Sequence, residues 1–320
     1  MKKEVTRKPT FFIVGGSRCG TTSLHRVLAH HPGIFLPREK SPNYFTAEDM
    51  ADFPGATAMA AMKSHLITDQ AEYLNLFASA TDEQLLGEVS PVYLQSIHTA
   101  ARIAAFAPKA KIVAILRNPV DRAFSHYIGR RRDGLETRTS FKEVIASELA
   151  DREPKLVAFN HYLAIGRYGF FLKSFCREFP SEQIKLLFFD DLVHNPAAVL
   201  QDLFAFLGVE QLDDQLPLEQ KNRGGIIQNP LLRNVWTRTA LSRARFRKYL
   251  PARARDLVGR VFLSKIHKPS LDPEIRNDLI EYFADDLRDL EALCESSLAD
   301  QYDFSQWRQA NRLNYQGSNE

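Results

Sequence analysis

"FFIVGGSRCGTTSL", residues 11–24, passes from an unbroken apolar run through two glycines into a cluster of hydroxyls. Phe11 to Val14 are strand formers, and Gly15 and Gly16 end them in the manner of a buried strand feeding a turn. Leu24, Val27 and Leu28 then recur at helical spacing until Pro32 stops the pattern. A turn between strand and helix aims several backbone N–H groups at one point, and the helix start adds partial positive charge there. Phosphate-like anions bind such nests. The glycines permit close backbone approach, Thr21, Thr22 and Ser23 offer hydroxyl donors, and Arg18 brings a permanent charge. The plainer alternative is a tight structural turn capped by threonines. Gly15 and Gly20 have the spacing of a nucleoside-triphosphatase loop, but Thr21 stands where that loop needs lysine, so magnesium-dependent phosphoryl transfer lacks its main signature.

The same grammar recurs downstream. "KIVAIL", 111–116, reads as a buried strand, and "RNPVDRAFSHYI" starts a helix with Asn118 as N-cap and Pro119 in its first turn. "IKLLFFDDL", 184–192, reads as a third strand, followed by a helix that begins after Asn195-Pro196 and ends at Gly208. Strands alternating with helices imply an α/β domain in three layers, a central parallel sheet flanked by helices, with ligand beyond the carboxyl ends of the strands. Residues 46–86 and 136–182 read as helical and loop insertions, and 221–270 as a basic lid or excursion on a single domain spanning 1–320. In 272–293, Ile275, Leu279, Phe283, Leu287, Leu290 and Leu293 mark one face of a long amphipathic helix.

Composition narrows the classes. The chain has 320 residues, 44% hydrophobic and 25% charged, ordinary for a globular protein with a large core. Cys19, Cys176 and Cys294 are too few and too scattered for a disulfide framework or a zinc site. The charged N-terminus lacks a signal-peptide core, and no run of about 18 apolar residues occurs, so a soluble, cytoplasmic protein is expected. The net charge of +3 conceals a stretch, 233–268, with eleven Lys or Arg against the single acid Asp256. Such a stretch suits an anionic partner or a solvated helix face equally.

A second anchor lies at Arg117, which leaves a strand end, and Ser125, two helical turns beyond Asn118 on the same side. Both can reach one further anion. The segments "GGSRCGTTSL", "GEVSPVYL", "VAILRNPVDRAFSHY" and "GRYGFFLKSF" through "IKLLFFDDLVHNPAAVLQDLFAFLGV" resemble the sulfotransferases that use 3′-phosphoadenosine 5′-phosphosulfate (PAPS), in their heparan-sulfate-type and bacterial branch. The resemblance runs in order along residues 11–209, with a fainter echo at 272–307. It implies a P-loop-like fold and a first loop gripping the 5′-phosphosulfate, carried here by Arg18, Gly20, Thr21, Thr22 and Ser23. It further implies a 3′-phosphate site at Arg117 and Ser125, with Arg223, Gly224 and Gly225 of "KNRGG" closing over the nucleotide. The missing triphosphatase lysine is then expected, and the scheme requires no metal.

Sulfuryl transfer needs stabilisation of charge on the leaving oxygen, and Arg18 with the loop amides is expected to supply it, where relatives commonly carry lysine. It also needs a base within hydrogen-bond reach of the acceptor. Aligning Lys40, Tyr44 and Phe45 with the branch's Lys-Glu-x-His-Phe-Phe segment puts Ser41 in place of the glutamate base and Asn43 in place of the histidine. Glu39 and Glu88 are the two candidate substitutes, Glu88 at a strand end expected to face the cleft, with Lys40 as an auxiliary cation near the sulfate. His65 and His126 are open as histidine bases, while His30 and His31 suit the end of the first helix. Val89 stands where several relatives keep a substrate-binding lysine, which argues against a strictly heparan-like acceptor. The reading is therefore a sulfotransferase acting on a hydroxyl, with an amine second, of a small molecule, lipid or saccharide. The rivals are a phosphotransferase or NTPase, for which "LLFFDD" resembles a Walker B strand, and a non-catalytic anion- or nucleic-acid-binding module built on 233–268.

Overall fold

Five strands form one all-parallel sheet in the order β2-β3-β1-β4-β5: β1 Phe11–Gly15, β2 Ile34–Phe35, β3 Leu85–Val89, β4 Lys111–Leu116 and β5 Ile184–Phe188. The structure, a computed structural model, describes residues 7–52, 66–151, 155, 157–159, 161–212, 226–227, 266–267, 269–298, 302–304 and 307. The α-helices within them are α1 Thr21–Leu28, α2 Ala47–Asp52, α3 Gln70–Asn75, α4 Thr99–Phe106, α5 Pro119–Asp133, α6 Phe141–Ala150, α7 Tyr168–Glu178, α8 Phe189–His194, α9 Pro196–Leu207 and α10 Pro273–Ser297.

The continuous apolar runs are explained by burial on both faces. Phe12 and Val14 join Ile112, Ala114, Leu186 and the helices α4, α7 and α10 in one core. Phe11 and Ile13, one residue out of phase, join Val113, Ile115, Leu187, α1 and α9 in the other. A third cluster packs α5 and α6 on the N-terminal half of α10 through Val120, Phe141, Leu279 and Phe283.

Local signals set most boundaries where the sequence put them. Asn118 Oδ1 accepts from the amides of Val120 at 3.0 Å and Asp121 at 3.5 Å, with Pro119 beside it at the helix start. Gly208 ends α9 at φ 79°, in the left-handed region glycine tolerates. The third strand is shorter than expected: β5 stops at Phe188, and Asp190 and Asp191 fall in the first turn of α8, where acids favour a helix start. Helix α1 ends at Leu28, so His30 and His31 lie beyond it. His30 Nδ1 still meets the Arg26 carbonyl at 2.6 Å, as expected of a helix end. His31 is instead fixed in the next turn, accepting from Gly33 N–H at Nδ1 and donating from Nε2 to the Glu210 carbonyl.

After α9 the described residues include Ile226–Ile227 and Ile266–His267, which pair antiparallel, with Ile226–Ile227 lying against α5. Arg223, Gly224, Gly225 and the rest of 233–268 lie outside the described residues, as does His65. Among the described residues no helix is long and apolar enough to cross a membrane.

Candidate active site

Because β1 and β4 are direct neighbours, the glycine turn after β1 and the corner after β4 leave the same edge of the sheet side by side. Adjacent strands lie ~4.8 Å apart, so the two corners are close neighbours.

The turn is built by close approach and positive φ. A Cβ on Gly15 would sit 2.6 Å from Cβ of Leu94, so only glycine lets the segment after β3 pack against it. Gly20 at φ 89° is the residue that starts α1, and Arg18 at φ 71° is held in the same left-handed region. Gln95 Nε2 donates to Ser17 Oγ at 2.5 Å, fixing the turn from outside. No sequence signal marks Gln95, since only the fold brings it here from 78 residues away.

At the start of α1, Thr21 is buried and Thr22 and Ser23 are half-buried. The Lys40 ammonium stands over the two threonines, 3.4 Å from Thr21 Oγ1 and 3.3 Å from Thr22 Oγ1. The loop that carries Lys40 is tied to the end of β3 through Ser41 N–H to the Val89 carbonyl at 3.1 Å. Burial, then repulsion from Arg26, brings the Lys40 pKa down to about 8. Glu39, next to it, is exposed.

At the second corner, Arg117 Nη1 donates to the Arg18 carbonyl at 3.4 Å and the guanidinium lies over the Phe189 ring, 4.6 Å from its centre. Phe189 also backs the turn, 3.0 Å from where a Gly20 Cβ would be. Ser125 is half-buried on α5. His126 beside it has a buried Nδ1, and burial followed by Arg122 and Arg130 keeps its pKa well below the usual value, so the ring is neutral.

Two placements differ from expectation. Glu88 does not face the cleft: it is 0% exposed, with Ser90 Oγ donating to Oε1 at 2.5 Å and Tyr73 donating to Oε2. Its position on β3 turns it into the aromatic layer of Phe45, Tyr73 and Tyr93, where desolvation raises its pKa to about 7 against the hydrogen bonds that lower it. Arg18 does not reach along the start of α1. Its guanidinium packs on α5 at Gly129, where any Cβ would come within 2.8 Å of Nη2.

Among the described residues these arginines outnumber the acids facing them, of which Asp133 is bonded to Arg132. Burial first, then repulsion from Arg132, Arg117 and Arg122, lowers the Arg18 pKa, with Asp133 opposing. Nε of Arg18, Nε of Arg117 and both Nε and Nη1 of Arg122 are buried with no hydrogen-bond partner among the described residues. Buried unpaired cationic donors are costly, and a polyanion bound beside them would offset that cost. Asp190, in the "LLFFDD" segment that resembles a Walker B strand, is bonded by Trp307, and burial raises its pKa.

Residues 9–214 match the model of the sulfotransferase family. The chain belongs to that family. Its donor, PAPS, comes with the membership, and the unpaired arginine donors fit such an anion. A solved sulfotransferase from Alicyclobacillus acidocaldarius is 31% identical, with TM-score 0.71 over 95% of this chain and 100% of that one. The bifunctional heparan sulfate N-deacetylase/N-sulfotransferase 2 of Bos taurus is 31% identical over 212 residues, 65% of this chain. Its Homo sapiens counterpart is 30% identical over 212 residues. This chain spans about a quarter of the length of these curated relatives, 23% of each.

Proposed function

We propose that this sulfotransferase acts on a hydroxyl of a small molecule, lipid or saccharide, with an amine as the second acceptor class. The observation that supports the reading best is the adjacency of the two corners, joined by Arg117 Nη1 to the Arg18 carbonyl. In this reading Gly20, Thr21, Thr22 and Ser23 hold the 5′ end of the nucleotide, and Arg117 and Ser125 hold its 3′-phosphate. The position of Ile226–Ile227 against α5 supports a cofactor role for the preceding Arg223, Gly224 and Gly225. When bound, the donor supplies a sulfuryl group: the acceptor oxygen bonds sulfur as the bond to the 5′-phosphate oxygen breaks, that oxygen keeping the electron pair.

Of the two candidate bases, Glu39 is the one left exposed on the loop beside Lys40, and it is assigned to receive the acceptor proton. Glu88, enclosed by Ser90 and Tyr73, serves the fold instead. The hydroxyl is preferred because Ser41 and Val89 stand where the resemblance would put the base and the substrate-binding lysine of the heparan-sulfate branch, so neither group is present here. The curated relatives are named for N-sulfotransferase activity, which keeps the amine in second place.

Calorimetry with adenosine 3′,5′-bisphosphate tests the reading. Tight binding with or without magnesium is expected, and preference for magnesium-ATP would overturn it. Parallel assays with hydroxyl and amine acceptors, read as labelled sulfate transferred, decide the acceptor class.

A further inference from the structure

Two cations, Lys40 and Arg18, lie on different elements around the glycine turn, and their surroundings differ. Lys40 Nζ meets the hydroxyls of Thr21 and Thr22, at the N-terminus of an eight-residue helix. The described residues show no ion pair for Lys40, and the charge that acts on it, Arg26, is also positive. The Arg18 guanidinium lies instead on α5 at Gly129, one helical turn beyond Ser125 on the same face. Its carbonyl accepts from Arg117, and its charge is felt together with those of Arg132, Arg117 and Arg122, with the Asp133 carboxylate opposing them. Gly129 is what allows this: any Cβ there would sit 2.8 to 3.1 Å from the Cζ and both Nη atoms of Arg18.

We propose that the charges of this site are divided, with Lys40 as the cation at the 5′ end, where sulfuryl transfer leaves a new charge on the phosphate oxygen, and Arg18 as a 3′-phosphate-reading residue alongside Arg117 and Ser125. This rests on the two-corner reading of the donor site. Glycine rather than alanine at position 129 is then part of nucleotide selectivity, because it gives the guanidinium its berth. In the transfer, the electron pair of the broken sulfur–oxygen bond stays on the 5′-phosphate oxygen beside Lys40, and the acceptor proton leaves to Glu39. Lys40 contributes charge and exchanges no proton.

The test is calorimetric binding of two ligands, adenosine 3′,5′-bisphosphate and adenosine 5′-monophosphate, to wild type and to Arg18→Met, Gly129→Ala and Lys40→Met. The wild type is expected to prefer the bisphosphate. Arg18→Met lowers that preference about tenfold or more, with monophosphate affinity changed less than about twofold, since a charged hydrogen bond to the 3′-phosphate is lost. Gly129→Ala lowers it in the same sense by about threefold, and as a helix-favouring change it does not put the fold at risk. Lys40→Met weakens both ligands alike, leaves the preference intact and cuts kcat about a hundredfold. Equal loss of both ligands in Arg18→Met, or a loss of preference in Lys40→Met, would overturn the division of charge. A wild type with no preference for the bisphosphate would overturn the two-corner reading itself, and the division with it.

Discussion

The hydroxyl of Tyr168 donates to the carbonyl oxygen of Arg117 at 3.0 Å and lies 3.6 Å from Sγ of Cys19. One side chain from α7 therefore braces both corners of the site, the glycine turn through Cys19 and the β4 exit through Arg117. Tyr168 is itself 0% exposed and sits at the start of α7, whose Gly169 and Phe170 amides donate to the Asp286 carboxylate on α10. The brace is thus anchored to the long C-terminal helix.

Tyr168→Phe removes that hydroxyl and leaves the ring in place. The Arg117 carbonyl and the Cys19 thiol then lose a buried partner, which costs about 1–3 kcal/mol. A lower melting temperature is expected, together with a severalfold loss of bisphosphate affinity measured by calorimetry. Unchanged affinity at reduced stability would show that the brace serves only the fold.

Glu39 and Glu88 separate by substitution. Glu39→Gln is expected to lower kcat about 10²–10⁴-fold with bisphosphate binding intact. Glu88→Gln is expected to keep activity, because an amide can satisfy both Tyr73 and Ser90 much as a protonated acid does. A Glu88→Gln enzyme without turnover but with normal melting would return Glu88 to the chemistry.

The pKa of Glu88 adds a pH test. Its folded value of about 7 lies above the ordinary glutamate value of 4.5, so the folded state binds the extra proton between those limits. Its contribution to stability is full below about pH 4.5 and is lost as pH rises through about 7. The loss is at most about 3 kcal/mol. Denaturant melts of Glu88→Gln should therefore gain on wild type between pH 5 and pH 8, and a constant difference across that range would contradict the assignment.

Lys40 titrates on the other side of neutrality. With its pKa lowered to about 8 by burial and Arg26, the free protein loses this cation as pH rises through that value. Bisphosphate affinity should then fall above about pH 8 in the wild type. The fall should be absent in Lys40→Met, measured by calorimetry at pH 7 and pH 9.

Gly169→Ala tests the packing beneath the site. A Cβ there would come 2.7 Å from the Asp286 carbonyl oxygen and 2.9 Å from the Leu290 nitrogen, both backbone atoms that cannot step aside. Overpacking of this kind costs about 1–3 kcal/mol, read as a shift in the denaturation midpoint. A neutral result would mean that α7 and α10 can separate without penalty.

The sequence by itself determined the layered α/β fold, the glycine turn between β1 and α1, and the family. Those depend on signals local to the chain: the apolar runs of β1, β4 and β5, the glycines of 15–20, and the Asn118-Pro119 cap. Only tertiary structure decided which way side chains at those positions turn. Glu88 at a strand end reads the same whether it faces a cleft or an aromatic layer, and pairing of β3 with β1 put it in the layer. Arg18 is drawn to α5 because Gly129, far along the chain, leaves it room, and Lys40 comes over Thr21 and Thr22 because Ser41 bonds to the end of β3. Period and capping are written within one turn or one strand, whereas side-chain direction is set by partners that only the folded chain brings within reach.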